Sequence, residues 1–303
     1  MGQNIAILAG GISAEREVSL VSANAVAEAL QGLGIAHVVI DPRPDLHELV
    51  TQLTPRPDVI FNALHGSPGE DGVFQAIFDY MKIPYTHSGM QASANAMDKA
   101  ISRKLFAHAG LPIAKGMVCA PQDTHNKDLL PRPYVLKPSS QGSSVGTYIF
   151  REDGNTKPDM HAWDYGTVLL EEFIPGAELT VSVLDGKAVG VTELRPASGF
   201  YDYTSKYTAH MTEHIFPAKI PQSLSDTLCT MAEQAHQILG CRSVTRADFR
   251  VDHLHDATPH IVLLEINTQP GMTPLSLVPE QTQGIGMDFP KLVQWIIQRA
   301  CHD

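Results

Sequence analysis

Residues 1 to 88 alternate strand and helix patterns, whereas the strands that follow come in runs, and this switch constrains the fold of the 303-residue chain most strongly. Asn4 to Ala9 reads as an apolar strand broken by Gly10-Gly11. Ser13 opens a helix whose apolar residues Val18, Val21, Ala25, Ala29 and Leu33 recur at three- and four-residue spacing before Gly34 stops it. Short strands at His37 to Asp41 and Asp58 to Ala63 follow. Strands separated by helices pair in parallel, so residues 1–88 are expected to form an open α/β domain with ligands beyond the carboxyl ends of its strands.

Beyond residue 88 the pattern changes. Apolar periodicity from Ser93 to Gly110 predicts one helix, with Met97, Ile101, Leu105 and Phe106 on one face. Strands are expected at Tyr134 to Lys137, Val145 to Phe150 and Val168 to Ile174. Leu179 to Leu184 and Lys187 to Leu194 flank Asp185-Gly186, a strong hairpin signal. Ser223 to Leu239 reads as an amphipathic helix, Ser243 to Asp252 and His260 to Asn267 as paired antiparallel strands, and Phe289 to Ala300 as a last helix covering that sheet. The fold class is therefore α/β and α+β, with expected divisions at 1–88, 89–170 and 171–303. Two or three domains suit this length and an ordinary composition, 43% hydrophobic and 18% charged.

A net charge of −11 argues against a broad nucleic-acid or membrane footprint and leaves room for a local phosphate site. No apolar run approaches the roughly 20 residues that span a bilayer. MGQNIAILAGG lacks the basic region of a signal peptide, and Ala6 spoils a myristoylation motif at Met1-Gly2. Cys119, Cys229, Cys241 and Cys301 form no CxxC pair, so reduced thiols and a cytoplasmic location are expected.

The chemistry concentrates in a few stretches. In HIVLLEINTQPGMTPLS, residues 260–276, a buried strand ends in Glu265 and Asn267, two apart and hence on one face. Alone, that is either a strand entering solvent or half of a hard-cation site. If the strand before it pairs antiparallel, Asp248 faces both, and two carboxylates with an amide oxygen suit Mg²⁺, Glu265 being able to bridge two ions. Arg246 shares the face of Asp248, either as its ion-pair partner or as a group that stabilises charge on a reacting carbonyl; spacing does not separate the two. Lys137-Pro138-Ser139-Ser140-Gln141-Gly142-Ser143-Ser144-Val145-Gly146 is either a hairpin loop or a cover for phosphate oxygens, and it is no Walker A loop. Its GxSxG match is followed by a strand pattern, which excludes a nucleophile elbow. His210 to His214 matches HxxEH in a stretch that Pro217 soon stops, a poor setting for the helix that a zinc protease needs. Gly10-Gly11 is not a GxGxxG fingerprint, so NAD binding gains little support. Tyr201-Asp202-Tyr203-Thr204-Ser205-Lys206-Tyr207 is either a surface loop or a lid in which Lys206 reaches a phosphate and Tyr207 closes the site.

Taken in order, these pieces resemble the ATP-grasp superfamily and specifically the D-alanine–D-alanine ligases. The resemblance runs through Gly10 to Ser19, His65-Gly66 with Gly69 to Gly72, Met97-Asp98-Lys99, Lys137-Pro138 with Gly142 to Gly146, Tyr201 to Tyr203 with Lys206-Tyr207, Arg246 with Asp248, and Glu265 to Leu277. It implies an ATP-grasp fold behind a pre-ATP-grasp domain, and ATP-dependent joining of two D-alanines through a D-alanyl phosphate for peptidoglycan precursors. Lys99, Lys137 and Lys206 would hold ATP, with Ser143, Ser144 and Phe249 beside it. Glu171, Glu172, Phe173 and Ile174 would meet the adenine, and Glu178 the ribose. Asp248, Glu265 and Asn267 would bind two Mg²⁺ ions, with Mn²⁺ possible. Glu15 would take the first D-alanine's ammonium, with His65 nearby. Ser143 and Tyr207 would close the lid in a set with Glu15, Arg246 and the Gly271 N–H would form an oxyanion hole, and Lys206, Tyr207, Ser276 and Leu277 would meet substrate. A homodimer through the first domain is expected. Tyr207 favours D-alanine as acceptor over D-lactate or D-serine, and the intact ligand set argues against an inactive nucleotide-binding regulator. Ala9, Ala76, Thr147 and His87 depart from residues common in the family, and shifts in affinity are expected from them.

Overall fold

A computed structural model describes residues 3–124, 127–153, 158–196 and 211–303. Strands β1 (Asn4–Leu8), β2 (Ala36–Ile40) and β3 (Val59–Asn62) form a parallel sheet in the order β2-β1-β3. Helices α1 (Arg16–Gly32), α2 (Leu46–Gln52) and α3 (Val73–Met81) connect and follow them. Parallel strands need cover on both faces. On one face Leu49, Leu53, Phe74 and Phe78 pack against Leu8 and Ile60. On the other, Val26 and Leu30 of α1 meet Ile5, Ile7 and Phe61.

Antiparallel strands make the other two sheets. Strands β4 (Gly116–Cys119), β5 (Tyr134–Pro138), β6 (Tyr148–Phe150) and β7 (Val168–Glu172) lie in the order β4-β7-β5-β6. Strands β8 (Ala177–Leu184), β9 (Lys187–Pro196), β10 (Thr212–Ile215), β11 (Val244–Asp252) and β12 (His260–Asn267) lie in the order β10-β9-β8-β11-β12. Helix α6 (Gln222–Ile238) buries Leu224, Leu228, Met231 and Ala235 against this larger sheet. Helices α7 (Leu277–Gly284) and α8 (Phe289–Ile297) complete the chain. No described helix is long and apolar enough to cross a membrane.

Three features of the fold bear on the site, and the first and third depart from the sequence reading. The helix expected from Ser93 to Gly110 is two helices, α4 (Met90–Met97) and α5 (Lys99–His108). Asp98 breaks them by adopting an extended backbone and accepting hydrogen bonds from the Ala100 and Ile101 amides as the N-cap of α5. An aspartate makes this competing bond readily, and apolar periodicity does not register it. The break also ties Lys99 to the Lys137 loop, because the Lys99 amide donates to the Ser139 carbonyl at 2.9 Å. Second, this helical pair packs on the five-stranded sheet through Ala96 and Phe106, not on the four-stranded one. Third, α8 does not cover the C-terminal sheet alone, which, among the described residues, it meets only near Val244 and Leu184. Its Leu292, Val293, Ile296 and Ile297 close the first-domain core beside Val26, Leu30 and Phe61.

His87, one of the departures from the family pattern, sits fully inside this first domain at a φ of 71°, edge-on to the Phe61 ring at 5.7 Å. Its Nδ1 has no hydrogen-bond partner. Burial, with nearby His65 adding to it, pushes its pKa down to about 3 from 6.5. The folded imidazole therefore stays neutral while the unfolded one protonates as pH falls below 6.5, and stability drains between 6.5 and 3. The stability advantage of wild type over His87→Gly is expected to shrink by about 2 kcal/mol between pH 7.5 and pH 5. Urea midpoints at the two pH values check this; an unchanged gap would refute it.

Candidate active site

Two clefts meet at the junction of the three sheets. One is lined by Glu15, His65, Glu70, Gly142, Ser143, Arg246, Asn267, Gly271, Ser276 and Leu277. The other is lined by Lys137, Ser144, Glu171, Glu172, Phe173, Ile174, Glu178, Asp248, Arg250 and Leu264. Lys99 and Glu265 line both. Among the described residues, those expected to hold amino acid line the first cleft, and those expected to hold nucleotide, except Ser143 and Phe249, line the second.

The strand pairing predicted for Asp248 is present. Strands β11 and β12 run antiparallel with Asp248 opposite Glu265 and Arg246 opposite Asn267. The register then slips at Asp248/Phe249, so that Phe249 pairs with Leu263 and Leu264 is the extra residue of a bulge. A bulge places two successive residues opposite one and re-aims a side chain. Here it lets Leu264 and Glu265 line the same cleft. Phe249 lies on the other side of the sheet. It is fully buried with Leu179, Leu228 and Met231, lines neither cleft, and so does not sit beside the nucleotide cleft as the resemblance implied.

Asp248 accepts hydrogen bonds from the Thr180 hydroxyl at 2.6 Å and, in a fork, from Arg246 Nε and Nη2 at 2.8 and 2.7 Å. Lys99 Nζ lies 3.2 Å from Glu265, and Lys137 Nζ 2.5 Å from Glu171, which Arg103 also contacts. Each of these cations thus neutralises a site carboxylate, which keeps the buried charges paired. Asp248, Glu265 and the Asn267 amide oxygen form a hard oxygen donor set that fits a divalent cation, since a cation here would take over charge that Arg246 and Lys99 now balance.

At the amino-acid end, Glu15 is buried at the N-terminus of α1, where the helix dipole favours its charge, and Ser143 donates to it at 2.5 Å. Ser143 and Ser144 adopt φ of 50° and 59°, so the loop turns sharply over the cleft and the expected strand from Val145 is delayed to Tyr148. Gly142 lets the loop come close to this carboxylate: a Cβ there would stand 2.9 Å from Glu15 Oε1 and push it aside. His65 Nε2 is 3.3 Å from the Ser22 hydroxyl, and its Nδ1 is 3.9 Å from Glu70. Ser276 places its hydroxyl on the Thr273 amide at 2.9 Å, beside Gly271. Lys206 and Tyr207 lie outside the described residues.

Sequence reasoning passed over several residues. Glu70 was visible only as part of a polar motif; its carboxylate accepts from the Gly66 amide at 2.9 Å and lines the first cleft. Arg250 continues the i+2 series of Arg246 and Asp248, and lies 3.6 Å from Glu178 and 5.6 Å from the Phe173 ring. Gln269 joins the domains from inside. It bonds Asn62 at 3.0 Å and the Leu64 carbonyl at 2.5 Å, fixing the end of β12 against the end of β3.

A family model described as "D-ala D-ala ligase C-terminus" matches residues 105–298. The D-alanine–D-alanine ligase of Acidiphilium cryptum is 51% identical over 300 residues, covering 98% of both chains. The chain belongs to the D-alanine–D-alanine ligase family. The corresponding protein of Granulibacter bethesdensis is 47% identical, again across 98% of each chain. Among solved structures, the Bacillus anthracis ligase complexed with ATP superposes with a TM-score of 0.80 at 28% identity, covering 99% of this chain and 97% of that one. The ATP-grasp architecture expected from the motifs is the architecture observed, and the family is one of ATP-dependent ligases.

Proposed function

We propose that this chain joins two D-alanines into D-alanyl-D-alanine, using ATP to activate the first through a D-alanyl phosphate. The observation that carries the reading is the meeting of two clefts at Lys99 and Glu265, one edged by Glu15 and Ser276, the other by Lys137 and Glu178. A carboxylate at that junction can reach both a terminal phosphate and an incoming amine.

A carboxylate does not accept an amine at neutral pH without an activated leaving group. Glu15 and Ser143 hold the first D-alanine by its ammonium, leaving its carboxylate toward Lys99. Lys99 and Lys137 balance charge on the triphosphate, and Phe173, Ile174 and Leu264 face the adenine while Glu178 takes the ribose. Asp248, Glu265 and Asn267 would hold two Mg²⁺ ions, or Mn²⁺, which when bound supply charge to the phosphoryl oxygens. A carboxylate oxygen of the first D-alanine displaces ADP at the γ-phosphorus. The amine of the second then attacks the acyl carbon, Arg246 and the Gly271 N–H stabilise the oxyanion, and phosphate leaves. The loop carrying Gly142 and Ser143 keeps the acyl phosphate from water. The dipeptide serves peptidoglycan precursor synthesis, a cytoplasmic setting that suits ATP and the four free thiols.

A homodimer through the first domain belongs to the same proposal. It is supported by the open edge of β2, where Val38 and Val39 are 48% and 47% exposed. Phosphate release with ATP, Mg²⁺ and D-alanine tests the activity, with L-alanine as control. Release is expected with D-alanine alone, accompanied by dipeptide; equal release with L-alanine or with no amino acid would sink the reading.

A further inference from the structure

His214 and Glu280 lie outside every role assigned above, yet they meet behind the acceptor end of the first cleft. His214 sits in β10, the strand that pairs with β9, so Thr212 to His214 of the HxxEH match are strand and not helix. Its Nδ1 is 2.7 Å from Glu280 Oε2. Because an ionised carboxylate only accepts, Nδ1 carries the proton in this bond. Glu280 belongs to the first turn of α7, the helix that begins with Ser276 and Leu277 at the cleft wall. The start of a helix attracts an anionic group. Ser276 does not cap α7, its hydroxyl being engaged by Thr273. A glutamate in that first turn competes with the substrate carboxylate for the same field.

The frame around the pair has other anchors. Gln281 pins α7 to the sheet by accepting from the Ser182 amide at 2.9 Å and donating to the Thr192 hydroxyl at 2.9 Å. Leu277 packs on Leu194, the cross-strand neighbour of His214. The Phe216 ring lies so close to Gly284 that a Cβ there would stand 2.4 Å from it. The His214–Glu280 bond is therefore free to act on charge more than on shape.

We propose that His214 is a positioning residue for the acceptor D-alanine: it draws the Glu280 carboxylate toward β10 and away from the N-terminus of α7, leaving that end to the acceptor's carboxylate. The inference rests on Ser276 and Leu277 holding the acceptor. Initial rates over a wide D-alanine range, resolved into donor and acceptor Michaelis constants, test it. In His214→Ala the acceptor constant is expected to rise about threefold at low ionic strength, less in high salt, with the donor constant unchanged. Adding Glu280→Gln is expected to bring the acceptor constant back towards wild type, which a merely structural contact would not do. Glu280→Gln alone should not raise it, so the proposal stays testable if the histidine variant folds poorly. An unchanged acceptor constant in His214→Ala, equal shifts in both constants, or no recovery in the double variant overturns the proposal. Ser276→Ala separates the two layers: if it leaves the acceptor constant alone, the acceptor-site reading fails and this proposal with it. If it raises that constant while the double variant does not recover, the His214 proposal alone is wrong.

Discussion

Glu265→Gln is expected to lower dipeptide formation by more than about a hundredfold and to weaken Mg²⁺ binding measured separately on the free protein, since metal-assisted phosphoryl transfer depends on the charge at its ligands. The substitution keeps the shape of the side chain and removes only the charge. Glu265 stands opposite Asp248, 3.2 Å from Lys99, and on the wall common to both clefts. No other carboxylate of the set occupies that shared position. The variant would lose a ligand able to bridge two ions and leave Lys99, held by the Gln141 carbonyl, without its ion-pair partner, so ATP orientation is expected to suffer along with metal affinity. Turnover close to wild type at low Mg²⁺ would refute the assignment. A fall in turnover with unchanged Mg²⁺ affinity would move Glu265 from metal ligand to lysine anchor.

That this site could be sketched from sequence follows from strand geometry. The i, i+2 rule puts Glu265 and Asn267 on one face and Arg246 and Asp248 on another, and antiparallel pairing brings the faces together. The structure retains that register across Arg246–Asn267 and Asp248–Glu265. Phe249 was expected beside the nucleotide from the resemblance alone; strand alternation turns it away from Asp248 and into the core. Leu264 enters the nucleotide cleft because it is the extra residue of a bulge in β12, and no local residue pattern announces a bulge. Helix periodicity placed a helix from Ser93 to Gly110, within a few residues of the observed Met90 to His108, but gave the wrong continuity, since Asp98 caps a new helix without interrupting the apolar spacing. The closure of the first domain by α8 was invisible for another reason. Periodicity identifies an apolar face but not its partner, and Leu292 and Ile296 could have covered either sheet. Gln269 shows the limit most plainly. It reads as a polar residue after a strand, and only the fold brings it to Asn62.

Arg246→Lys separates the two roles that spacing alone leaves open. Its guanidinium now forms a fork with Asp248, and it also lines the amino-acid cleft together with Gly271. A cation held by Asp248 would take over the charge that this fork balances, leaving the guanidinium for a substrate oxygen. Lysine keeps the positive charge but loses the paired, planar donors. If Arg246 stabilises the tetrahedral oxyanion, the first half-reaction survives in the variant and the second slows by about 10²–10³, the usual cost of one such donor. Acyl phosphate then accumulates and is lost to water, so phosphate release outruns dipeptide formation. If Arg246 serves only to place Asp248, metal binding weakens and both products fall together, their ratio unchanged. The expected result is a raised phosphate-to-dipeptide ratio with little change in the Michaelis constant for ATP. Parallel loss of both products would assign Arg246 to the metal site instead.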